Sequence, residues 1–494
     1  MIESAIAALG VVLEPGRLVW LCCGTAVGLV VGFLPGLGGV VGMAILLPFI
    51  FGMDPYDAIA LLIGTVAVLH TSDTFTSILI GVPGTAGSAA TVVEGYPMAQ
   101  RGEAARALSA SFMASMLGGI IGGAGLFGFV VIAKPLILAL GSPELFMLSL
   151  LGMATVGVLA KANPAAGLVA GAVGMMLGSI GAAPAAAEYR YTFHTIYLYD
   201  GIPLPVLGIG LYGIPALIDL LSSKAPVSQG ELRPGQTLQG IKDVFSHKLL
   251  VLRSSLLGAG LGVIPGIGGS VVDWIAYALA AAPSDRANFG KGDIRGLIAP
   301  ESANNAKEGG SLVPTLLFGI PGSGTTAVLL GGFFLVGIEP GPAMVGKDLT
   351  LTLSIIWTLT IASALGAGCC WILSRAASRL CLINGTKLVP YLFIIMAMAA
   401  YQASRSWGDI IAMLALSVVG WIMQRLDWPR PAVLVGFVLS VPTERYLHLS
   451  MGRYGFDWLR SPAVIAIGIC IAVLVFFSMR AAMKHDKDAA KLRM

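Results

Sequence analysis

The stretch His70-Thr71-Ser72-Asp73-Thr74 puts an imidazole, three hydroxyls and a carboxyl at the centre of segment 57–82, which otherwise reads as an ordinary membrane-spanning helix. A charge at such a depth costs about 2.5–3.5 kcal/mol or more, so these residues call for a polar cleft. Thr65, Thr76 and Ser77 extend the lining, with Thr74 and Ser77 placed to meet a substrate. His70 and Asp73, three apart, share a helix face. Asp73 suits cation coordination, proton coupling or, protonated, donation to a substrate; a buried structural pair with His70 is the alternative. The second such stretch runs from Ala299 to Ser311. There Asn304 and Asn305 offer amides that hold a carboxylate without a permanent buried charge. Glu301, four residues before Asn305, joins His70 and Asp73 as a cation-coupling candidate. A solvated cap or loop is the bland alternative, and Lys307 and Glu308 are expected to face water.

What positions these residues is a repeated interruption. Pro35-Gly36-Leu37-Gly38-Gly39 returns as Pro265-Gly266-Ile267-Gly268-Gly269, 230 residues on. Gly81-Val82-Pro83-Gly84-Thr85 returns as Gly319-Ile320-Pro321-Gly322-Ser323, with Gly324 following, at a spacing of 238. An insertion in the polar stretch 284–296 accounts for the difference of eight. Each motif falls inside an apolar run, where Pro removes a backbone donor and Gly relaxes the chain, so the helix should break. Broken helices at matched places in two halves point to a transporter binding site at the bilayer midplane. Their N-termini favour an anion and their freed carbonyls a cation, which suits carboxylate binding with cation coupling. The chain therefore divides into a first half (1–230), a second half (231–480) and a basic tail (481–494). The number of crossings per half decides between parallel and inverted repeats, and inversion is expected.

Composition sets the class. The chain has 494 residues, 56% hydrophobic and 11% charged, with net charge +4 and mean hydropathy +0.86. An ordinary soluble domain carries about 25% charged residues. The expected fold is an all-α integral membrane protein with about twelve transmembrane helices, broken or re-entrant ones included, embedded in a lipid bilayer. No basic n-region or cleavage site precedes the first apolar run, so that helix is expected to stay. The six cysteines lack metal or disulfide spacing and are expected in the core. With no basic stripe interleaved with aromatics, nucleic acid is not an expected partner. Arg480, Lys484, Lys487, Lys491 and Arg493 place the C-terminus in the cytoplasm by the positive-inside rule, and the segment from Lys224 to Arg253 with it. The aromatic stretch 188–200 suits an interfacial or periplasmic loop.

Gly341 to Asp348 has the core of a phosphate loop, but Asp348 stands where Ser or Thr must bind magnesium, and Pro342 disrupts the cradle. No cofactor is expected beyond a coupling Na+ or H+, with Na+ held at the Pro-Gly loops. An intramembrane hydrolase using His70, Asp73 and a serine is a rival; neither a nucleophile elbow nor an H-E-x-x-H cluster supports it. A passive channel is another, but channels usually set symmetric subunits around one pore.

The segments GFLPGLGG, IGVPGTAGSAATVVEGYPMAQRGEAARAL, GVIPGIGG, FGKGDIRGLIAPESANNAKEGGSLVPTLLFGIPGSGTTAVLLGG and GIEPGPAM resemble the large permease subunit, the TctA family, of tripartite tricarboxylate transporters, from about Gly24 to Arg480. The resemblance implies a multi-pass permease of the bacterial inner membrane. It implies work with a small membrane subunit and a periplasmic solute-binding protein, by an elevator-like mechanism, with homodimerisation allowed. It implies import of an organic carboxylate, citrate or another di- or tricarboxylate or an aromatic carboxylate, by cation-driven symport. The family's Pro-Gly loops fall on the four motifs above and its Asn pair on Asn304 and Asn305. His70 to Phe75 and Lys307 depart from the family pattern, which bears on substrate and coupling ion.

Overall fold

The structure is a computed structural model that describes residues 2–34, 37–159, 164–186, 188–222, 236–266, 268–281, 288–380 and 385–491. It is helical almost throughout; the strands among the described residues are the antiparallel pair Gly181–Ala182 and Tyr189–Arg190. Seven described helical segments are long and apolar enough to cross a membrane: Pro15–Phe33, Pro55–Leu79, Ala104–Leu138, Leu204–Leu221, Leu349–Ser374, Trp407–Arg425 and Pro462–Arg480. Six shorter apolar helices accompany them. Large apolar side chains such as Ile132, Ile372, Ile411 and Phe476 are exposed on the outer surface, as lipid solvation requires. The chain is an all-α, multi-pass membrane protein.

After the short helix Ile2–Val12, the first half continues with α1 (Pro15–Phe33), α2 (Gly38–Ile50), α3 (Pro55–Ser72) and α4 (Thr74–Leu79), followed by α5 (Ala89–Gln100) and α6 (Ala104–Leu138). The second half runs through α7 (Lys248–Gly262), α8 (Gly268–Ala281), α9 (Ile294–Phe318), α10 (Gly324–Leu335) and α11 (Leu349–Leu380). Helices stop and restart at each Pro-Gly motif. Gly81 and Gly319, two residues before Pro83 and Pro321, both take left-handed backbone, with φ of 72° and 66°, a conformation that suits glycine. After each of these breaks a capping box starts the next helix, Thr85 with Ser88 and Ser323 with Thr326, satisfying two orphan amides reciprocally.

Close packing follows from glycine rows at spacing four. Gly24, Gly28 and Gly32 of α1 face the α3 backbone, where a Cβ at Gly28 would stand 2.5 Å from the Thr65 carbonyl oxygen. Across that contact Thr65 Oγ1 donates to the Gly24 carbonyl at 3.0 Å and Ser72 Oγ to that of Gly28 at 3.2 Å. Gly258 and Gly262 of α7 face α9 likewise, a Cβ at Gly262 standing 2.5 Å from the Lys307 carbonyl oxygen. Gly118 and Gly122 of α6 close on the other side of α9. So enclosed, α9 is buried from Gly296 to Leu317, although its polar residues make it a poor lipid-facing helix.

The polar stretch before α9 is held by a first-half carboxylate. Glu94 of α5 accepts from Tyr277 Oη (2.7 Å) and the backbone amides of Gly290 (2.6 Å), Gly292 (2.6 Å) and Asp293 (2.8 Å). Asp293 caps α9 through the Arg295 amide at 2.9 Å. Burial alone would raise its carboxyl, but hydrogen bonds from the Arg295 side chain and amide hold it below the usual carboxylate range.

One expectation needs correction here. Of the described cysteines only Cys370 is buried; Cys22, Cys23 and Cys470 are exposed and Cys369 is half-buried, because apolar helix faces in lipid need not be core faces. Cys381 lies outside the described residues. The stretch 188–200 supplies the second strand of the small pair, Tyr189–Arg190, and a short 3-10 helix, Ile196–Asp200, and exposes Tyr189, Tyr191, Phe193 and Ile196. At the phosphate-loop look-alike, the helix Pro342–Val345 spans four residues, ending before Lys347.

Candidate functional site

α3 starts at Pro55 with Asp54 capping the Tyr56 amide (2.9 Å) and runs buried from Ala58 almost to its end. Its last turn delivers His70 and Thr71 toward α9, and Asp73 stands at the junction with α4. Asn305 Nδ2 donates to Thr71 Oγ1 at 2.9 Å. Glu301, one turn earlier, sits in a cage of first-half hydroxyls: Thr91 (2.6 Å) donates to Oε1, while Ser115 (2.8 Å) and Thr74 (3.1 Å) donate to Oε2. Thr74 therefore serves Glu301. Ser77 turns back to its own chain and donates to the Asp73 carbonyl at 3.0 Å.

Lys307 and Glu308, expected in water, are buried. The Lys307 ammonium donates to Glu308 Oε1 at 2.5 Å and lies 3.2 Å from His70 Nε2, which is itself 3.1 Å from Glu308 Oε1. The pair escapes water because the first-half histidine closes the triangle, and a buried ion pair survives only with such added partners. His70 Nδ1 is 3.6 Å from Asp73 Oδ2, too far for a hydrogen bond. Asp73 Oδ2 instead accepts from Thr85 at 2.5 Å.

The Pro-Gly segments meet across the halves. The Gly266 amide donates to the Gly322 carbonyl at 3.0 Å, joining the two second-half motifs. Gly39 approaches the second half closely, since a Cβ there would lie 2.7 Å from Thr325 Oγ1. Gly84 lies against Asp73, where a Cβ would be 2.5 Å from that of the aspartate. Leu37, Gly39, Gly84, Pro321 and Gly322 are buried; Gly38, Thr85, Pro265, Gly266, Ser323 and Gly324 are half-buried and Pro83 exposed. Gly268 and Gly269 open α8. Pro35, Gly36 and Ile267 lie outside the described residues.

Asn304 lies beside the turn after Pro83-Gly84: a Cβ at Gly87 would be 3.1 Å from Asn304 Nδ2 and Oδ1 and from Asp273 Oδ2. Asp273 of α8 escaped the sequence reading, as did Thr91 and Ser115. The signal for it was present, an acid inside the apolar run VVDWIAYALAAA, the same anomaly that marks Asp73. Buried in this region are the carboxyls of Asp73, Asp273, Glu301 and Glu308 together with the Lys307 ammonium. No set of three His, Cys, Asp or Glu side chains suited to a metal ion occurs among the described residues.

Known proteins resemble the chain over most of its length. The chain is 29% identical over 489 residues, 96% of each chain, to an uncharacterised 52.8 kDa protein in the TAR-I ttuC' 3' region of Agrobacterium vitis. A second Agrobacterium vitis protein, from the TAR-II ttuC' 3' region, is 31% identical over 195 residues, 39% of this chain and 81% of its own length. No solved structure matches. The model of the tripartite tricarboxylate transporter TctA family matches residues 18–435, and the chain belongs to that family.

Proposed function

We infer that the chain imports an organic carboxylate (a tricarboxylate, dicarboxylate or aromatic carboxylate) as the large membrane subunit of a binding-protein-dependent tripartite transporter. It resides in the bacterial inner membrane with a cytoplasmic C-terminus, alongside a small membrane subunit and a periplasmic solute-binding protein. The substrate lies among the Pro-Gly loops and Asn304 and Asn305. The observation that carries this reading is the contact of the two halves at their interruptions: Gly39 against Thr325, and the turn at Gly87, after the Pro83-Gly84 break, against Asn304 and Asp273. Broken ends present amides to an anion.

Four carboxyls near one ammonium would repel an anionic substrate. Coupling cations, Na+ or H+, remove that repulsion, with His70, Asp73 and Glu301 as their candidate groups. Each unit charge crossing 100 mV exchanges about 2.3 kcal/mol, so a multivalent anion needs several cations to enter a negative interior. The matched breaks and capping boxes support two pseudo-symmetric, inverted halves. The side-chain ties between α3–α6 and α9 support their moving as one body, in an elevator-type cycle.

The test is uptake of radiolabelled citrate and other carboxylates into proteoliposomes holding both membrane subunits, with the binding protein outside and an imposed Na+ or H+ gradient. Gradient-dependent uptake that falls at least tenfold in Asn304→Leu is the expected result. Flux that ignores the gradient would favour a channel.

A further inference from the structure

Asp273 is wholly buried, and neither of its carboxyl oxygens has a hydrogen-bond partner. The side-chain oxygen of Asn304, 2% exposed, has none either. The two oxygens converge on one point. A carbon placed on Gly87 would stand 3.1 Å from Asp273 Oδ2 and 3.1 Å from both Oδ1 and Nδ2 of Asn304, so both oxygens border the Gly87 turn with the Asn304 amide nitrogen beside them.

A bare carboxylate in such surroundings is destabilised by several kcal/mol unless a countercharge reaches it. Lys307 does not serve, because its ammonium is engaged by Glu308 and His70. A protonated carboxyl would use its O–H on a neighbouring acceptor, and Asp273 makes no such bond. Oxygen donors carrying one negative charge, lined up with an amide carbonyl, suit a monovalent alkali cation. A single carboxylate offers too little charge for calcium, whose sites gather several carboxylates, and softer metals would seek nitrogen or sulfur.

We propose that Asp273 and Asn304, meeting against the backbone turn at Gly87, form a Na+ site. Its use in transport rests on the cation-coupled reading above; its binding of Na+ does not. The site explains how a cation governs an anion. Asn304 borders the turn with both ends of its amide, and a cation held by its oxygen would fix its N–H groups for a carboxylate. Na+ and substrate then tighten each other's binding by the same factor, as linkage demands. The turn at Gly87 follows the Pro83-Gly84 break, so occupancy also fixes a first-half loop against α8 and α9.

The experiment measures 22Na+ binding to the purified full chain in nanodiscs, at constant ionic strength with choline as the replacing ion. The wild type should bind saturably, Asp273→Asn at least tenfold more weakly, and Gly87→Ala several-fold more weakly, since its methyl group occupies the point where the oxygens converge. Gly87→Ala keeps the carboxylate, so it decides the matter should Asp273→Asn fail to fold. Wild-type affinity in both variants, or no binding by the wild-type chain, overturns the site. Intact, Asp273-dependent Na+ binding without carboxylate uptake supports the site and counts against the transport reading alone.

Discussion

Glu301 and Asp273 are both buried acids of the second half, and their surroundings are opposite. Three first-half hydroxyls fill both oxygens of Glu301, whereas Asp273 receives no hydrogen bond. A saturated carboxylate is a structural tie that holds helices together, and an unsaturated one is held ready for something that comes and goes. The sequence alone ranks them the other way, because Glu301 sits beside the Asn pair.

Replacing each acid by leucine should separate the two most widely. Glu301→Leu strips the acceptor from three buried hydroxyls, each worth about 1–3 kcal/mol, for a loss of about 3–9 kcal/mol. Asp273→Leu leaves no orphan and, without Na+, should unfold at or above the wild-type temperature. Thermal unfolding in detergent, followed by intrinsic fluorescence, measures both; equal losses would erase the distinction. Lys307 extends it to a basic group. Lys307→Met leaves Glu308 uncompensated at a cost of about 3–5 kcal/mol, and Lys307→Met with Glu308→Gln should recover most of that in the same assay. Glycines sharpen it further. Gly28→Ala pushes α1 off the α3 backbone and should cost about 1–3 kcal/mol, whereas Gly87→Ala should spare stability in Na+-free buffer. The smallest effect expected is that of Glu94→Gln: its amide nitrogen, turned to the Tyr277 hydroxyl, can donate there but leaves the Gly290 amide unmatched, at about 1–2 kcal/mol, with carboxylate uptake retained in proteoliposomes.

The helix interruptions were legible because Pro and Gly act locally: a missing N–H and a left-handed glycine break a helix whatever packs around it. The glycine rows could be read from their spacing, though not which helix each would meet. Asn305 was found as a polar residue at depth, and its partner Thr71 is 234 residues away. Distance in the chain explains the misreading of Lys307 and Glu308 as well. An adjacent Lys-Glu pair looks solvated until His70, from the other half, closes on it. Asp273 was missed for a different reason: it stands outside both clusters of polar residues, within an apolar run.

The clamp of Glu94 on residues 290–293 bears on how such a chain is made. During synthesis Glu94 emerges nearly two hundred residues before the amides that satisfy it, and Thr91 waits still longer for Glu301. The amino-terminal portion, released alone, would carry a buried carboxylate and several hydroxyls without mates. A gene cut between the codons for Ser222 and Gln236 should therefore yield a durable product only when both pieces are expressed in the same cell.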